Sequence, residues 1–199
     1  MAPRSNDISG NDISGSDVIS VLTRDHREVE EVFTRIEQLA PGDVRRKDLA
    51  ERAIRELVRH AEAEEVYVYP AFRRFLPDGD AIADREIEEH SAAERSMKQL
   101  QGLGAADAFF DRLLAELMAE VREHVAEEEG TYFPMLAAHA SAEDLETLGR
   151  AVMTVKKVVP TRPHPVAPDR PPLNLLLGPA IGLVDRVRDL VTGRGWRWS

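Results

Sequence analysis

His60-Ala-Glu-Ala-Glu-Glu-Val-Tyr-Val-Tyr-Pro-Ala-Phe72 and His124-Val-Ala-Glu-Glu-Glu-Gly-Thr-Tyr-Phe-Pro-Met-Leu136 are two versions of one segment, 64 residues apart. Each sets a glutamate four residues after its histidine (Glu64, Glu128) and a proline ten residues after it (Pro70, Pro134). The same displacement lays Asp25-His26 on Glu89-His90, and Glu30 on Glu94. His26 and His60 are 34 residues apart, and so are His90 and His124. Such a repeat describes two helical hairpins with internal two-fold character.

Each histidine falls in an apolar stripe with spacings of three and four. The stripes are Leu22-His26-Val29-Phe33-Ile36, Leu57-His60-Glu64-Tyr67-Ala71, Ile87-His90-Glu94-Met97-Leu100 and Leu117-Val121-His124-Glu128-Thr131. Residues so spaced share one helix face. The pattern predicts helices over about 17–39, 44–75, 80–100 and 107–138, separated by Ala-Pro-Gly-Asp43, Leu-Pro-Asp-Gly-Asp80 and Gln-Gly-Leu-Gly-Ala-Ala-Asp107, all turn chemistry. No stretch keeps a period of two, so the fold class is all-α. Short connections favour antiparallel neighbours, which makes an up-down-up-down four-helix bundle of two pseudo-symmetric hairpins. A short fifth helix starts at Ser141, whose Ser-Ala-Glu-Asp144 resembles a capping box, and carries Leu145, Leu148, Val152 and Val155 on one face.

The flanks differ from this body. Residues 1–16 hold a tandem Asn-Asp-Ile-Ser-Gly and are expected to be a disordered tail. The bundle with its added helix takes 17–158. Residues 159–199 begin with a proline-rich extended segment and end in an amphipathic helix with Arg194-Gly-Trp-Arg-Trp-Ser199.

The chain has 199 residues, 43% of them apolar, and no cysteine. One sizeable core is the expectation, and disulfide frameworks, zinc ribbons, Fe–S clusters and thiol nucleophiles are excluded. No apolar run approaches the roughly 20 residues of a membrane span, and the N-terminus lacks the apolar stretch of a secretory signal; a cytoplasmic protein is expected. The net charge of −10 divides into −2 for residues 1–17, +3 for 158–199 and −11 for the body between them. A body that acidic repels phosphate backbones, so no nucleic-acid partner is expected for it.

Four imidazoles and two carboxylates in the seam of one bundle cannot all be satisfied by apolar neighbours, and a lone buried carboxylate costs several kcal/mol. Bound cations resolve the conflict, because imidazole and carboxylate are their common ligands. Six ligands with two-fold symmetry, His26, His60, Glu64, His90, His124 and Glu128, suit two metals bridged by the two glutamates. Tyr67 follows Glu64 on the same face and is a candidate additional ligand or supporting donor, as are Glu94 and, at the edge of the seam, Glu30. His139 and His164 lie outside the pattern and are expected in solvent.

Asp25-His26, His60 to Glu64 with Tyr69-Pro70, Glu89-His90, and His124 to Glu128 with Phe133-Pro134 together resemble the bacterial hemerythrin-like, or HHE cation-binding, proteins. The resemblance covers about 17–138. It implies two non-haem irons bridged by Glu64 and Glu128 and by an oxo or hydroxo group, with His26, His60, His90 and His124 as terminal ligands; manganese is the alternative metal. Oxygen-carrying hemerythrins have a fifth histidine one turn after that of the third helix. Here Glu94 stands at that position, and a carboxylate there would favour ferric iron over reversible oxygen transport.

The expected function is therefore di-iron redox chemistry in which a small oxidant (peroxide, oxygen or nitric oxide) is bound or consumed, catalase-like if there is turnover. The alternative is an iron- or oxygen-responsive sensor in which occupancy of the site changes the display of the C-terminal segment.

Overall fold

A computed structural model describes residues 16–156. The expected disordered tail and the proline-rich C-terminal segment lie outside the described residues.

Three of the four long helices, α1, α2 and α4, start where an aspartate supplies a side-chain cap. Helix α1, Val18–Glu37, begins at Asp17, whose carboxylate accepts from the Ser20 N–H at 3.0 Å. Helix α2 begins at Asp43 and runs Val44–Ala63, then a π-helical turn Glu64–Val68, then Tyr69–Phe75. Helix α3, Gly79–Gly102, follows a tight turn in which Asp78 adopts a left-handed φ of 56°. Helix α4 is capped by Asp107 and repeats the plan of α2: Ala108–Glu127, a π turn Glu128–Tyr132, then Phe133–His139. The shorter α5, Ala142–Val155, is capped by Ser141, whose hydroxyl accepts from the Asp144 N–H at 3.1 Å. These caps satisfy donors that each helix start leaves unpaired.

The π turns were not foreseen, and proline explains them. Pro70 and Pro134 lie inside helices, where each lacks an N–H and its ring presses on the preceding turn. The chain widens by one residue just ahead of each: the Tyr69 N–H donates to the Glu64 carbonyl, and the Phe133 N–H to that of Glu128. The helix continues with its phase shifted by one residue.

Helix α1 packs on α2 and α3 on α4, as two hairpins. Helix α5 folds back against α1, and Gly149 lets it lie close to the backbone at the start of α1: a Cβ there would collide with the Ser16 carbonyl oxygen. The apolar interior forms two clusters. One holds Val18, Leu22, Tyr69, Phe72 and Leu136 with Leu148 and Val152 of α5. The other holds Val29, Phe33, Ile54, Leu100, Phe110 and Leu117. On α1, His26 lies between Leu22 of the first cluster and Val29 of the second. The polar layer thus interrupts the core across the middle of the bundle.

Candidate metal centre

His26, His60, Glu64 and Glu128 are buried in this layer, and the side chains of His90 and His124 are only 10% and 13% exposed. All four rings turn Nε2 to the same place. The Nε2 atoms of His26 and His60 are 3.1 Å apart, and those of His90 and His124 are 3.3 Å apart. Glu64 presents one oxygen to each pair: Oε1 is 3.1 Å from His60 Nε2, and Oε2 is 3.5 Å from His90 Nε2. Glu128 Oε2 sits 3.4 Å from His26 Nε2 and 3.6 Å from His124 Nε2. Both carboxylates therefore span the two histidine pairs.

Neither carboxylate has a hydrogen-bond partner, although both are buried; the nearby ring nitrogens do not meet them in donor geometry. A buried carboxylate without hydrogen bonds is costly even beside imidazoles, and a cation held by the ring nitrogens and carboxylate oxygens would remove the cost. The donor set, imidazole with bridging carboxylate, suits iron, manganese or zinc. Ligand atoms of His26, His60, Glu64 and Glu128 are near enough to share one ion, and those of Glu64, His90 and His124 to share another.

Around this centre a second carboxylate holds the far nitrogen of every ring. His26 Nδ1 lies 2.8 Å from Glu129, His60 Nδ1 3.4 Å from Asp25, His90 Nδ1 3.2 Å from Glu65, and His124 Nδ1 3.0 Å from Glu89. Each contact crosses between helices and obeys the 64-residue displacement, Asp25 with Glu89 and Glu65 with Glu129. A carboxylate on Nδ1 fixes the tautomer that leaves Nε2 free for a metal. The sequence reading used Asp25 and Glu89 only as markers of the repeat and passed over Glu65 and Glu129. The displacement of 64 that aligned the ligands would have found them.

In the metal-free chain, protons and charge pairs balance the site. Burial opposes a charged ring, but Glu64, Asp25 and Glu128 outweigh it and raise His60 to about 10. Burial likewise opposes the charge on His124, yet Glu128, Glu89 and other carboxylates raise it to about 9. Burial and the charge of His124 hold His90 well below the usual histidine range. Burial and the charge of Glu128 push Glu64 up; for Glu128 itself burial is overcome by His124, His26 and His60, and the group is held down at about 2.

The structure does not bring the three additional candidates to the centre. Tyr67 packs in the apolar core, because the π turn rotates the chain beyond Glu64. Tyr69 takes its place: it is buried, and its hydroxyl lies 2.9 Å from His90 Nε2. Glu94 turns to Lys98 at 2.9 Å, one turn further along its own helix. Glu30 pairs with Arg122 at 2.7 Å on the surface of the bundle. Glu94 therefore stands apart from the ring nitrogens and does not act as the carboxylate counterpart of a fifth histidine. One buried carboxyl was missed altogether: Glu86, one turn before His90, lies 3.3 Å from His124 Nδ1. His139 is exposed, as expected, and His164 lies outside the described residues.

The sequence pattern of the Hemerythrin HHE cation binding domain matches residues 17–136. The chain belongs to this family. An uncharacterized hemerythrin-like protein of the fission yeast Schizosaccharomyces pombe is 29% identical over 175 residues, 87% of this chain and 86% of that one. A Nostoc protein named DNA nickase is 26% identical over 153 residues, which span 77% of this hemerythrin-like chain but only 43% of the Nostoc protein. The fold is shared with a crystal structure of a hemerythrin HHE cation binding domain-containing protein from Mycobacterium kansasii. That likeness has a TM-score of 0.61 and 19% identity over 71% of this chain and 86% of the other.

Proposed function

We propose that this hemerythrin-like protein holds two iron ions, one between His26 and His60 and one between His90 and His124, both bridged by Glu64 and Glu128. The observation that carries the reading is the pair of buried carboxylates, neither of them hydrogen-bonded, facing four Nε2 atoms. Bound iron supplies one-electron redox chemistry and a place for a small oxidant to coordinate.

The residues of the chain define what reaches it. A cavity of about 650 Å³ opens onto the four histidines and is walled by Val29, Phe33, Leu57, Met97 and Val121. Apolar walls favour small neutral molecules, and hydrogen peroxide, oxygen and nitric oxide are of that kind. Arg122, Glu30 and Glu37 form ion pairs between α4 and α1 beside this cavity. With Tyr69 and Glu86 beside the centre, the surroundings are richer in oxygen than in nitrogen at one end, which favours ferric iron and consumption of an oxidant over reversible oxygen carriage. Catalase-like conversion of two peroxides to oxygen and two waters is the turnover expected in the cytoplasm.

The test is metal content and absorption spectrum of protein purified without chelator, then oxygen evolution from peroxide with His124→Ala as the control. Two irons per chain and peroxide-dependent oxygen release lost in His124→Ala are expected. Reversible oxygenation over many cycles would overturn the redox reading.

A second reading, a sensor without turnover, draws on the Lys156 contact with Asp25, which itself holds His60. Occupancy of the site would then be felt where the chain leaves α5 for its C-terminal segment. A C-terminal interaction that depends on iron, in protein that turns over no peroxide, would favour it.

A further inference from the structure

The two halves of the centre come from one repeat, yet the repeat is broken in two places that both touch it. The displacement of 64 carries Leu22 to Glu86 and Tyr69 to Phe133. In the half around His26 and His60 both positions are apolar. Leu22 is fully buried, and the Phe133 ring stacks on His26 with centroids 5.9 Å apart. In the half around His90 and His124 both positions carry oxygen. Glu86 is fully buried with neither oxygen hydrogen-bonded, 3.3 Å from His124 Nδ1, and the Tyr69 hydroxyl is 2.9 Å from His90 Nε2.

The charges further out differ in the same sense. Asp25, which holds His60, is in contact with the Lys156 ammonium. His124 Nδ1 faces two carboxylates, Glu86 and Glu89. Arg85 lies 3.7 Å from Glu86, but it directs its short contact, 2.6 Å, to Glu127.

We infer that the two metal positions are unequal, and that the one between His90 and His124 fills first and holds its ion more tightly. The inference rests on the two-metal reading above. A buried carboxyl whose oxygens make no hydrogen bond is stabilised by a nearby cation, and Glu86 gives this half a gain that Leu22 cannot give the other. Tyr69 adds a neighbouring oxygen donor where Phe133 has only a ring face. Groups that hold metal-ligating side chains typically change metal affinity about 10–100-fold.

The test is a Zn(II) titration of the metal-free full chain with its histidine rings labelled by nitrogen-15, each ring assigned from a single His→Ala variant. The first equivalent is expected to shift the His90 and His124 nitrogens and the second those of His26 and His60, with dissociation constants about tenfold or more apart. Glu86→Leu, which installs the residue of the other half, should bring the two constants within about threefold by weakening the tighter one alone. Glu86→Gln keeps the volume and serves the same purpose if the leucine variant does not fold. Simultaneous filling, filling of His26 and His60 first, or variants that leave the ratio unchanged would each overturn the inference while leaving two bound ions. Fewer than two ions in the wild type would overturn the two-metal reading itself.

Discussion

His26 and His60 point their Nε2 atoms at each other across 3.1 Å, and Glu128 and Glu64 stand beside them at 3.4 and 3.1 Å. Two ring nitrogens so placed share at most one proton along the line between them. The two ring nitrogens and an oxygen from each glutamate would together hold a cation there.

Removing metal should therefore cost stability. Metal at a thousand times its dissociation constant contributes about 4 kcal/mol, or roughly 10 °C in melting temperature for a domain of this size. Calorimetry of loaded and chelator-treated protein checks this. Coincident melting curves would refute it.

Glu129 holds His26 from outside the centre, whereas Glu30 is engaged with Arg122 on the surface. Glu129→Gln should weaken metal retention by about 10–100-fold, and Glu30→Gln should leave it nearly unchanged. Competition against a chelator of known affinity measures both. Equal losses would mean that the Nδ1 contacts do not tune the site.

Tyr69→Phe should remove any visible charge-transfer band of the iron-loaded protein, because its hydroxyl is the phenol nearest the ligand nitrogens, 2.9 Å from His90 Nε2. Tyr67→Phe should keep the band, since Tyr67 is enclosed in the apolar core. The opposite pattern would place the wrong tyrosine at the metals.

The metal-free protein should lose stability as pH rises from about 6.5 to 10. Against burial, surrounding carboxylates raise His60 to about 10 and His124 to about 9, so the folded chain keeps protons that the unfolded chain releases near 6.5. Their contribution is complete below 6.5 and is lost as pH passes through these raised values. Glu65 and Glu86, each pushed up to about 8 by burial, act in the same direction. His90, held low, has finished its effect by pH 6.5, and Glu128 matters only in acid. Urea denaturation of chelated protein at several pH values tests the slope; flat or rising stability over that range would contradict it.

Gly149→Ala should destabilise the fold by about 1–3 kcal/mol, since a methyl group there collides with the backbone at Ser16 and Asp17. Its effect on metal affinity should be small, as α5 supplies no candidate ligand. A neutral melting temperature would show that α5 can retreat without loss.

The helices, their turns and the six converging side chains were legible because each depends on local spacing. Aspartate caps, Pro-Gly turns and three-four periodicity are written within a few residues of where they act. What escaped depends on contacts between segments or on a change of period. Glu65 and Glu129 look like solvent positions until the partner helix brings a ring nitrogen to them. Glu86 looks like one member of an acidic run, yet it is fully buried beside His124 of the neighbouring helix. Tyr67 was favoured over Tyr69 because a constant α-helical period was carried past Glu64, through a turn that does not keep it. Glu94 follows the period correctly, but Lys98 offers it a nearer charge.

The two π turns also set a rule for anyone transplanting this centre. Copying His60, Glu64 and Tyr69 onto an ideal straight helix would swing the phenol away from the metals, since five regular residues beyond Glu64 point elsewhere. The graft must carry the proline and the widened turn with the ligands, or else move the tyrosine back toward the position of Tyr67. In a designed scaffold this irregularity is thus a component to be specified, with a part number of its own, rather than a flaw to be smoothed away.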